Sequence, residues 1–365
     1  MNNEIEILKF SSSEMPHRFT DWSKNVLISP SLGWKKDIAR TILLWFNTND
    51  FIVIETSGST GTPKKIKLLK KHMISSAYLT INKFHLKEDQ TTLLCLPAKY
   101  IAGMMMVVRA IIAKMNLVIC PPSVDPIEFF KYSMKIDFAP MLPMQLYNIS
   151  NNKKSLTYLQ ENFKTVLLGG GSVSEKLKKH IQKLSVNVYE SYGMTETITH
   201  IAVKKLNTKN KQLNFKPFQG INIGKDKRNC LVIDLQKLYN KTIITNDIVK
   251  IQSDNGFMIL GRIDNVINTG GLKIIPEKLE NKIEDIYNNN FIISSIPDDE
   301  LGEKIVLIIE RPGLNQQEKD AVHTKLKNTL AKKEIPKDIF TLNKFIYTKN
   351  NKINRLETRK KLIEK

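Results

Sequence analysis

The sequence predicts an α/β protein: a large N-terminal α/β domain over 1–262, with mainly parallel sheets flanked by helices, and a small C-terminal α+β domain over 263–365. Three observations predict it. Short apolar runs of strand length alternate with stretches of helical length as far as about Gly261. Beyond that point the order becomes helix, strand, strand, helix within roughly a hundred residues, the size of a small domain. With 365 residues and 41% apolar content, the chain can bury a sizeable core and divide into two or three units.

Residues 1–50 read as mixed, with a helical stretch over Trp34–Phe46. Phe51–Ile54 reads as a buried strand, and Lys65–Leu69 as a second. A helix follows over Lys71–Phe84, with His72 in its first turn. Thr91–Leu96 reads as a strand stopped by Pro97, Ala102–Lys114 as a helix, and Asn116–Cys120 as a strand stopped by Pro121 and Pro122. Phe138–Leu142 and Thr165–Leu168 read as further strands. In the last hundred residues, Ile274–Tyr287 and Gln316–Lys332 read as helices, and Phe291–Ile296 and Lys304–Ile309 as strands. No internal repeat occurs.

Composition excludes several function classes. The formal net charge is +20, but the lysines are spread along the chain, and runs such as Lys204–Lys211 and Lys349–Lys365 read as solvated faces. No zinc-finger, RNA-recognition or basic-zipper signature accompanies them, so no specific nucleic-acid partner is expected. A basic surface still attracts anionic small substrates. Met104–Ala113 is too short to span a bilayer and contains Arg109. Residues 1–10 lack the apolar centre of a signal peptide. Cys95, Cys120 and Cys230 are far apart, as expected of buried free thiols in a reducing, cytoplasmic setting. No His/Cys cluster has zinc spacing.

Three segments carry chemistry. Thr56-Ser57-Gly58-Ser59-Thr60-Gly61-Thr62-Pro63-Lys64 places hydroxyls, glycines and a cation between two strands. Small residues let the backbone approach a polyphosphate, and Lys64 adds charge. The spacing is not that of a Walker A loop. Gly169-Gly170-Gly171 follows a strand and leaves room for a flat group such as a base, or makes a tight strand-to-helix turn. Tyr192-Gly193-Met194-Thr195-Glu196 offers a stacking face, a hydroxyl for a phosphate oxygen and a carboxylate for magnesium.

On these residues the chain resembles the adenylate-forming superfamily of acyl-CoA synthetases, peptide-synthetase adenylation domains and luciferases. Thr56–Lys64 resembles its phosphate loop, and Tyr192–Glu196 its adenine and magnesium motif. Thr245-Asn246-Asp247 resembles the Thr-Gly-Asp motif whose Asp binds the ribose hydroxyls. Gly261-Arg262-Ile263-Asp264 resembles the ribose-binding arginine and the interdomain hinge. Asn351-Lys352-Ile353-Asn354-Arg355 resembles the C-terminal Gly-Lys-x-x-Arg, whose lysine serves adenylation. The run Leu96-Pro97-Ala98-Lys99-Tyr100-Ile101-Ala102-Gly103 and Tyr192–Ala202 resemble one branch, the compact 2-succinylbenzoate–CoA ligases of menaquinone biosynthesis.

The resemblance implies a two-step ligase that uses ATP, Mg²⁺ and coenzyme A. A carboxylate attacks the α-phosphate to give an acyl-adenylate, and the CoA thiol then displaces AMP. Lys352, Thr195 and Glu196 are the implied catalytic residues, with Glu196 holding the metal. Thr56, Ser57, Gly58, Ser59, Thr60, Gly61, Thr62, Lys64, Gly169, Gly170, Gly171, Tyr192, Asp247 and Arg262 are implied for the nucleotide. Asp264 is the implied hinge, and Gly270, Gly271 and Lys273 the residues presented for the CoA step; Gly270-Gly271 also reads as a plain hairpin turn. Lys99, Tyr100, Gly103 and His200 are acyl-pocket candidates. Arg109, a charge within an apolar helix, needs a partner, either a structural carboxylate or the substrate.

Several departures carry expectations. Asn246 and Asn351 replace glycines, and Asn tolerates left-handed backbone best among other residues. Tyr100 stands where many members carry His, which touches substrate choice. Only 55 residues precede the loop, which suggests a missing peripheral lobe. The alternatives are an adenylation enzyme that loads a carrier protein supplied in trans, a ligase for another aryl or fatty acid, a nucleotide-binding protein without catalysis, and a nucleic-acid-binding module. No membrane span is expected, and the oligomeric state, up to a dimer, is open.

Overall fold

A computed structural model describes residues 5–11, 16–56, 64–208, 214–287, 290–348 and 353–363. Most of the Thr56–Lys64 loop, together with Asn351 and Lys352, lies outside the described residues. The strands that flank the loop, Phe51–Thr56 and Lys64–Leu69, form an antiparallel ribbon in the register Thr56↔Lys64.

Helices and sheets alternate as the α/β class requires. One sheet runs in the order Glu6–Lys9, Asn116–Ile119, Thr91–Leu94. A second runs Lys216–Pro217, His200–Lys205, Asn187–Gly193, Thr165–Leu168, Ala139–Met141. A third is an antiparallel meander of Asn222–Lys225, Cys230–Asp234, Thr242–Ile251 and Phe257–Arg262. A fourth uses only residues after Val266: Ile267–Thr269, Leu272–Ile274, Phe291–Asp298, Gly302–Glu310 and Asp338–Leu342.

The sheets are mixed. Among the described residues, the parallel ladders before Arg262 are Thr91–Leu94 with Asn116–Ile119 and Thr165–Leu168 with its two neighbours, with isolated parallel bridges at Thr92↔Phe138 and Ile136↔Phe163. Each of those pairs is joined through a helix, as a parallel crossover must be. Elsewhere before Arg262 the named ladders are antiparallel, several across short turns and one, Glu6–Lys9 with Asn116–Ile119, across a long stretch of sequence.

The helix Ile101–Ile112 explains the longest apolar run. Met104, Met105, Met106, Val107 and Val108 are all buried, so the helix is apolar all round and sits inside the core. Gly103 makes that position reachable: a Cβ there would stand 2.4 Å from the Pro97 carbonyl oxygen. The glycine is therefore explained by close packing of this helix against the preceding turn.

Several elements differ from the sequence reading or lie outside it, among them the helices Pro143–Asn151, Lys153–Asn162 and Glu175–Ile181 and the four-stranded meander. The helix His17–Ile28 falls in the stretch read as mixed, although Phe19, Ser23 and Val26 recur at helical spacing on its buried face. The helix expected over Ile274–Tyr287 begins at Pro276 and ends at Ile283, since proline suits a first helical turn and Leu272–Ile274 is taken by a hairpin. Asp338–Leu342, parallel to Gly302–Glu310, has four half-buried residues out of five and no apolar alternation to reveal it. Among the described residues no helix is long and apolar enough to cross a membrane.

Gly103→Ala should lower stability by about 1–3 kcal/mol, the cost of overpacking a core against backbone that cannot retreat. Urea denaturation of the two proteins checks this.

Candidate active site

The strand Asn187–Gly193 carries the centre of the site. Tyr192 is buried, with its ring against Phe257 at 5.2 Å, edge to face, and Phe215 at 6.0 Å. Its hydroxyl donates to Asp247 Oδ2 at 2.5 Å. Burial, and then the charge of Asp247, push the Tyr192 phenol far above its ordinary pKa, so it stays a donor. Asp247 faces Arg262 across the antiparallel ladder, and Arg262 Nη1 lies 3.3 Å from Asp247 Oδ1. Arg262 Nη2 reaches on to Asp264 Oδ2 at 2.6 Å. Four of the residues singled out from sequence thus form one connected set.

Asn246 has a role that the sequence reading did not foresee. It lies within the extended strand Thr242–Ile251 and is not among the residues of positive φ, so tolerance of left-handed backbone does not explain it. Its side chain bridges instead: Asn246 Nδ2 donates to Asp264 Oδ1 at 3.0 Å, and Arg228 Nη1 donates to Asn246 Oδ1 at 3.3 Å. Arg228, absent from the sequence candidates, also donates to the Thr245 carbonyl at 3.2 Å and pairs with Asp226. Glycine could make neither side-chain bond.

The three glycines sit at the end of Thr165–Leu168, beside Tyr192's strand. Ser191 Oγ donates to the Leu168 carbonyl at 2.8 Å, and a Cβ on Gly169 would come within 2.9 Å of that oxygen. Gly170 and Gly171 are exposed. After Tyr192 the chain folds sharply back. Gly193 is pressed against the returning strand, where a Cβ would meet the Thr199 carbonyl oxygen at 2.3 Å. Thr197 braces the turn by bonding the Met194 amide at 3.0 Å and the Thr199 carbonyl at 2.6 Å. Ile198 takes φ 70°, a costly conformation for a β-branched residue. Thr195 is half-buried at the tip of this turn, and Glu196 is exposed.

Neither the Thr195 hydroxyl nor the Glu196 carboxylate has a partner among the described residues. Magnesium on a nucleotide is held by one or two carboxylates plus phosphate oxygens, so a free exposed carboxylate at this tip suits it.

The acyl-pocket candidates divide. Lys99 and Tyr100 are exposed beside each other, with the ammonium 5.3 Å from the ring centroid. No hydrogen bond or ring contact joins them to His200. His200 Nε2 instead lies 2.9 Å from Thr80 Oγ1, and its ring meets Phe218 edge-on at 5.5 Å. Arg109, fully buried, donates to Thr80 Oγ1 and Thr199 Oγ1, each at 3.1 Å. Hydroxyls thus meet it, and no carboxylate pairs with it among the described residues. The cysteines are free and buried, and burial pushes Cys95 up to about 12, far from a reactive thiolate.

In the C-terminal residues, Gly270 and Gly271 have φ of 51° and 76° and turn the hairpin of Ile267–Thr269 with Leu272–Ile274. This is the plain-turn reading, and it leaves Lys273 exposed beyond it. Arg355, close to Lys352 in sequence, donates through Nη1 to Glu280 Oε1 at 2.7 Å and through Nη2 to Oε2. Glu280 also accepts the Ile293 amide at 2.7 Å. That clamp fixes the helix Arg355–Ile363, and the sequence offered no signal for its carboxylate partner.

Tyr192→Phe should cost about 1–3 kcal/mol of stability, since Asp247 loses a charge-assisted bond inside the protein. The loss should shrink in an Asp247→Asn background, so a double-mutant cycle in urea measures the coupling directly.

Comparison with known proteins follows the same lines. Residues 45–224 match the family model described as AMP-binding enzyme. The 2-succinylbenzoate–CoA ligase of Haemophilus influenzae is 28% identical over 285 residues, 70% of this chain and 58% of that protein. This chain therefore spans little more than half of that relative's length. The 2-succinylbenzoate–CoA ligase of Bacillus cytotoxicus is 24% identical over 349 residues, 86% of this chain and 70% of that protein. A solved acyl-CoA synthetase (AMP-forming)/AMP-acid ligase II-like protein from Dyadobacter fermentans is 31% identical, with TM-score 0.63, and the match covers 98% of this chain and all of that one. The Bacillus subtilis O-succinylbenzoate coenzyme A synthetase, solved with ATP and magnesium, shares the fold at TM-score 0.70 and 20% identity, over 84% of this chain and 69% of that one. With its first motifs inside the matched segment and a 31% identical structure aligned end to end, the chain belongs to the AMP-binding enzyme family.

Proposed function

We propose that the chain is an ATP-dependent acid–CoA ligase. It activates a carboxylic acid as its acyl-adenylate, transfers the acyl group to coenzyme A and releases AMP, and 2-succinylbenzoate is the acid. The observation that carries the reading is the connected set Tyr192–Asp247–Arg262, standing beside Gly169–Gly171, of which Gly170 and Gly171 are exposed. A half-buried carboxylate braced by a phenol and a guanidinium is a rigid acceptor for the two ribose hydroxyls. The glycine edge leaves space for a base next to it.

In the first step an anionic carboxylate must approach an anionic phosphate, so the barrier is largely electrostatic. Lys352 is assigned to bridge the carboxylate and the α-phosphate. Lys64 and the hydroxyls of Thr56–Thr62 are assigned to the departing pyrophosphate, and Thr195 to the α-phosphate. Glu196 would hold magnesium, which supplies charge neutralisation on the phosphates. In the second step the CoA sulfur attacks the acyl carbon, the acyl–phosphate bond breaks, and AMP leaves with the electron pair. We assign residues 263–365 to a unit that turns about Asp264 between the steps. Arg262 and Asn246, both bonded to Asp264, then set which arrangement the hinge prefers.

Lys352→Ala should slow adenylate formation by about 100-fold or more, the scale of losing one preorganised charge. Transfer to CoA from supplied acyl-adenylate should change little. Pyrophosphate release with 2-succinylbenzoate, and CoA thioester formation from the pre-made adenylate, measure the two halves separately. Equal loss in both contradicts the hinge account. Pyrophosphate release with another acid but none with 2-succinylbenzoate overturns the substrate.

A further inference from the structure

The helices His17–Ile28 and Gly33–Phe46 pack on each other across the turn Ser29–Leu32. Their inner faces are apolar and buried, with Phe19 and Val26 on the first and Ile38, Ala39 and Ile42 on the second. Glu6, on the neighbouring strand, fixes the pair by accepting from Trp22 Nε1 at 2.6 Å and from Lys35 Nζ at 3.0 Å. The outer side is also apolar in part. Ile28, 85% exposed, is the most exposed large apolar side chain among the described residues, and Leu32 (46%) and Leu44 (37%) are exposed with it. A groove of about 650 Å³ runs between the helices, lined by Lys24 of the first and by Arg40, Leu43, Leu44 and Phe46 of the second. Ile28 follows Lys24 by four residues and Leu44 follows Arg40 by four. On each helix a cation and an aliphatic side chain therefore share one face, and both faces border the groove.

Positive charge exceeds negative on this pair. Residues 17–46 carry Arg18, Lys24, Lys35, Lys36 and Arg40 against Asp21 and Asp37. Asp21 stands 3.7 Å from Lys24 and Asp37 2.9 Å from Arg40, each one turn away on the same helix. Exposed pairs of this kind are weak, so neither cation is committed to its carboxylate. All three tryptophans of the chain, Trp22, Trp34 and Trp45, stand on these two helices, half-buried. Exposed aliphatic groups at a turn, indoles beside them and cations around both make the composition of an element that lies in a bilayer interface. The formal charge of +20 on the whole chain suits an anionic surface. A second copy suits this face less well, because a two-fold contact sets the patch against itself and opposes like charges.

We propose that the helix pair is a membrane-docking element whose partner is an anionic lipid bilayer. Ile28, Leu32 and Leu44 enter the boundary between headgroups and acyl chains, and Lys24, Lys36 and Arg40 meet the lipid phosphates. The pair lies on the bilayer, since no helix among the described residues is long and apolar enough to cross one. Thr41 Oγ1, on the inner side, lies 3.3 Å from the Ala98 carbonyl oxygen, so the docking element is packed on the run that carries Lys99 and Tyr100. The inference does not depend on which acid the protein activates, or on whether it activates one.

The test uses the full chain with vesicles of phosphatidylcholine alone, or of an equal mixture of phosphatidylcholine and phosphatidylglycerol, read by co-sedimentation. Binding to the anionic vesicles should be about ten-fold or more tighter, and should weaken with salt. Because every tryptophan lies on the helix pair, quenching of their emission by brominated acyl chains reports whether this element is the one that enters. Ile28→Ser combined with Leu32→Ser keeps the charge and changes only exposed side chains. It should weaken binding by about ten-fold and remove the quenching. Lys24→Glu with Arg40→Glu should weaken binding more than Lys153→Glu with Lys154→Glu, an equal charge change at exposed positions of the helix Lys153–Asn162. No preference for anionic vesicles, unquenched tryptophans, or a serine variant that binds like the wild type overturns the proposal. Equal loss from the two charge reversals also overturns it, leaving only the general charge of the chain. Sedimentation velocity without lipid tests the other occupant: a dimer that the serine variant breaks assigns the face to a second copy and overturns the bilayer.

Discussion

The hydrogen bond from Tyr192 to Asp247 is the contact on which the site depends. It joins the strand Asn187–Gly193 to the strand Thr242–Ile251 of the antiparallel meander, next to the backbone bridge Phe215↔Phe257 that also links the two sheets. Desolvation strengthens it, because neither partner can exchange the bond for water without opening the packing against Phe257. From Asp247 the set runs through Arg262 to Asp264, and from Asp264 back through Asn246 to Arg228. The carboxylate assigned to the nucleotide and the residue assigned to the hinge are therefore parts of one network.

The same economy recurs around His200. The fold-back after Gly193 that exposes Glu196 also swings Thr199 and His200 against the helix Lys70–Phe84. One tight turn thus presents a carboxylate outward and a hydroxyl–imidazole pair inward. The strained Ile198 backbone marks the cost of that reversal.

Much of this was legible because the chemistry lies in contiguous motifs. The strand–glycine and Tyr-Gly-x-Thr-Glu segments revealed Gly169–Gly171 and Tyr192 at once, and the apolar alternation revealed the sheets that carry them. Contacts that close across long sequence distances left no such trace. Arg228 reaches Thr245 and Asn246, and Arg355 reaches Glu280, through pairings that no local pattern encodes. Asn246 was misread for a related reason: its replacement of glycine suggested a backbone role, whereas its side chain does the bonding. The parallel character of the sheets was overextended because periodicity reports that a strand exists, not which way its neighbour runs.

The central claim is that Asp247, braced by Tyr192 and Arg262, holds the ribose of ATP. Titration calorimetry with ATP and with 2′,3′-dideoxy-ATP tests it most directly, without needing the acid or CoA. The account predicts that ATP binds about ten-fold or more tightly than the dideoxy analogue, since the analogue lacks the hydroxyls that bond the Asp247 carboxylate. Equal affinity for the two nucleotides would contradict it.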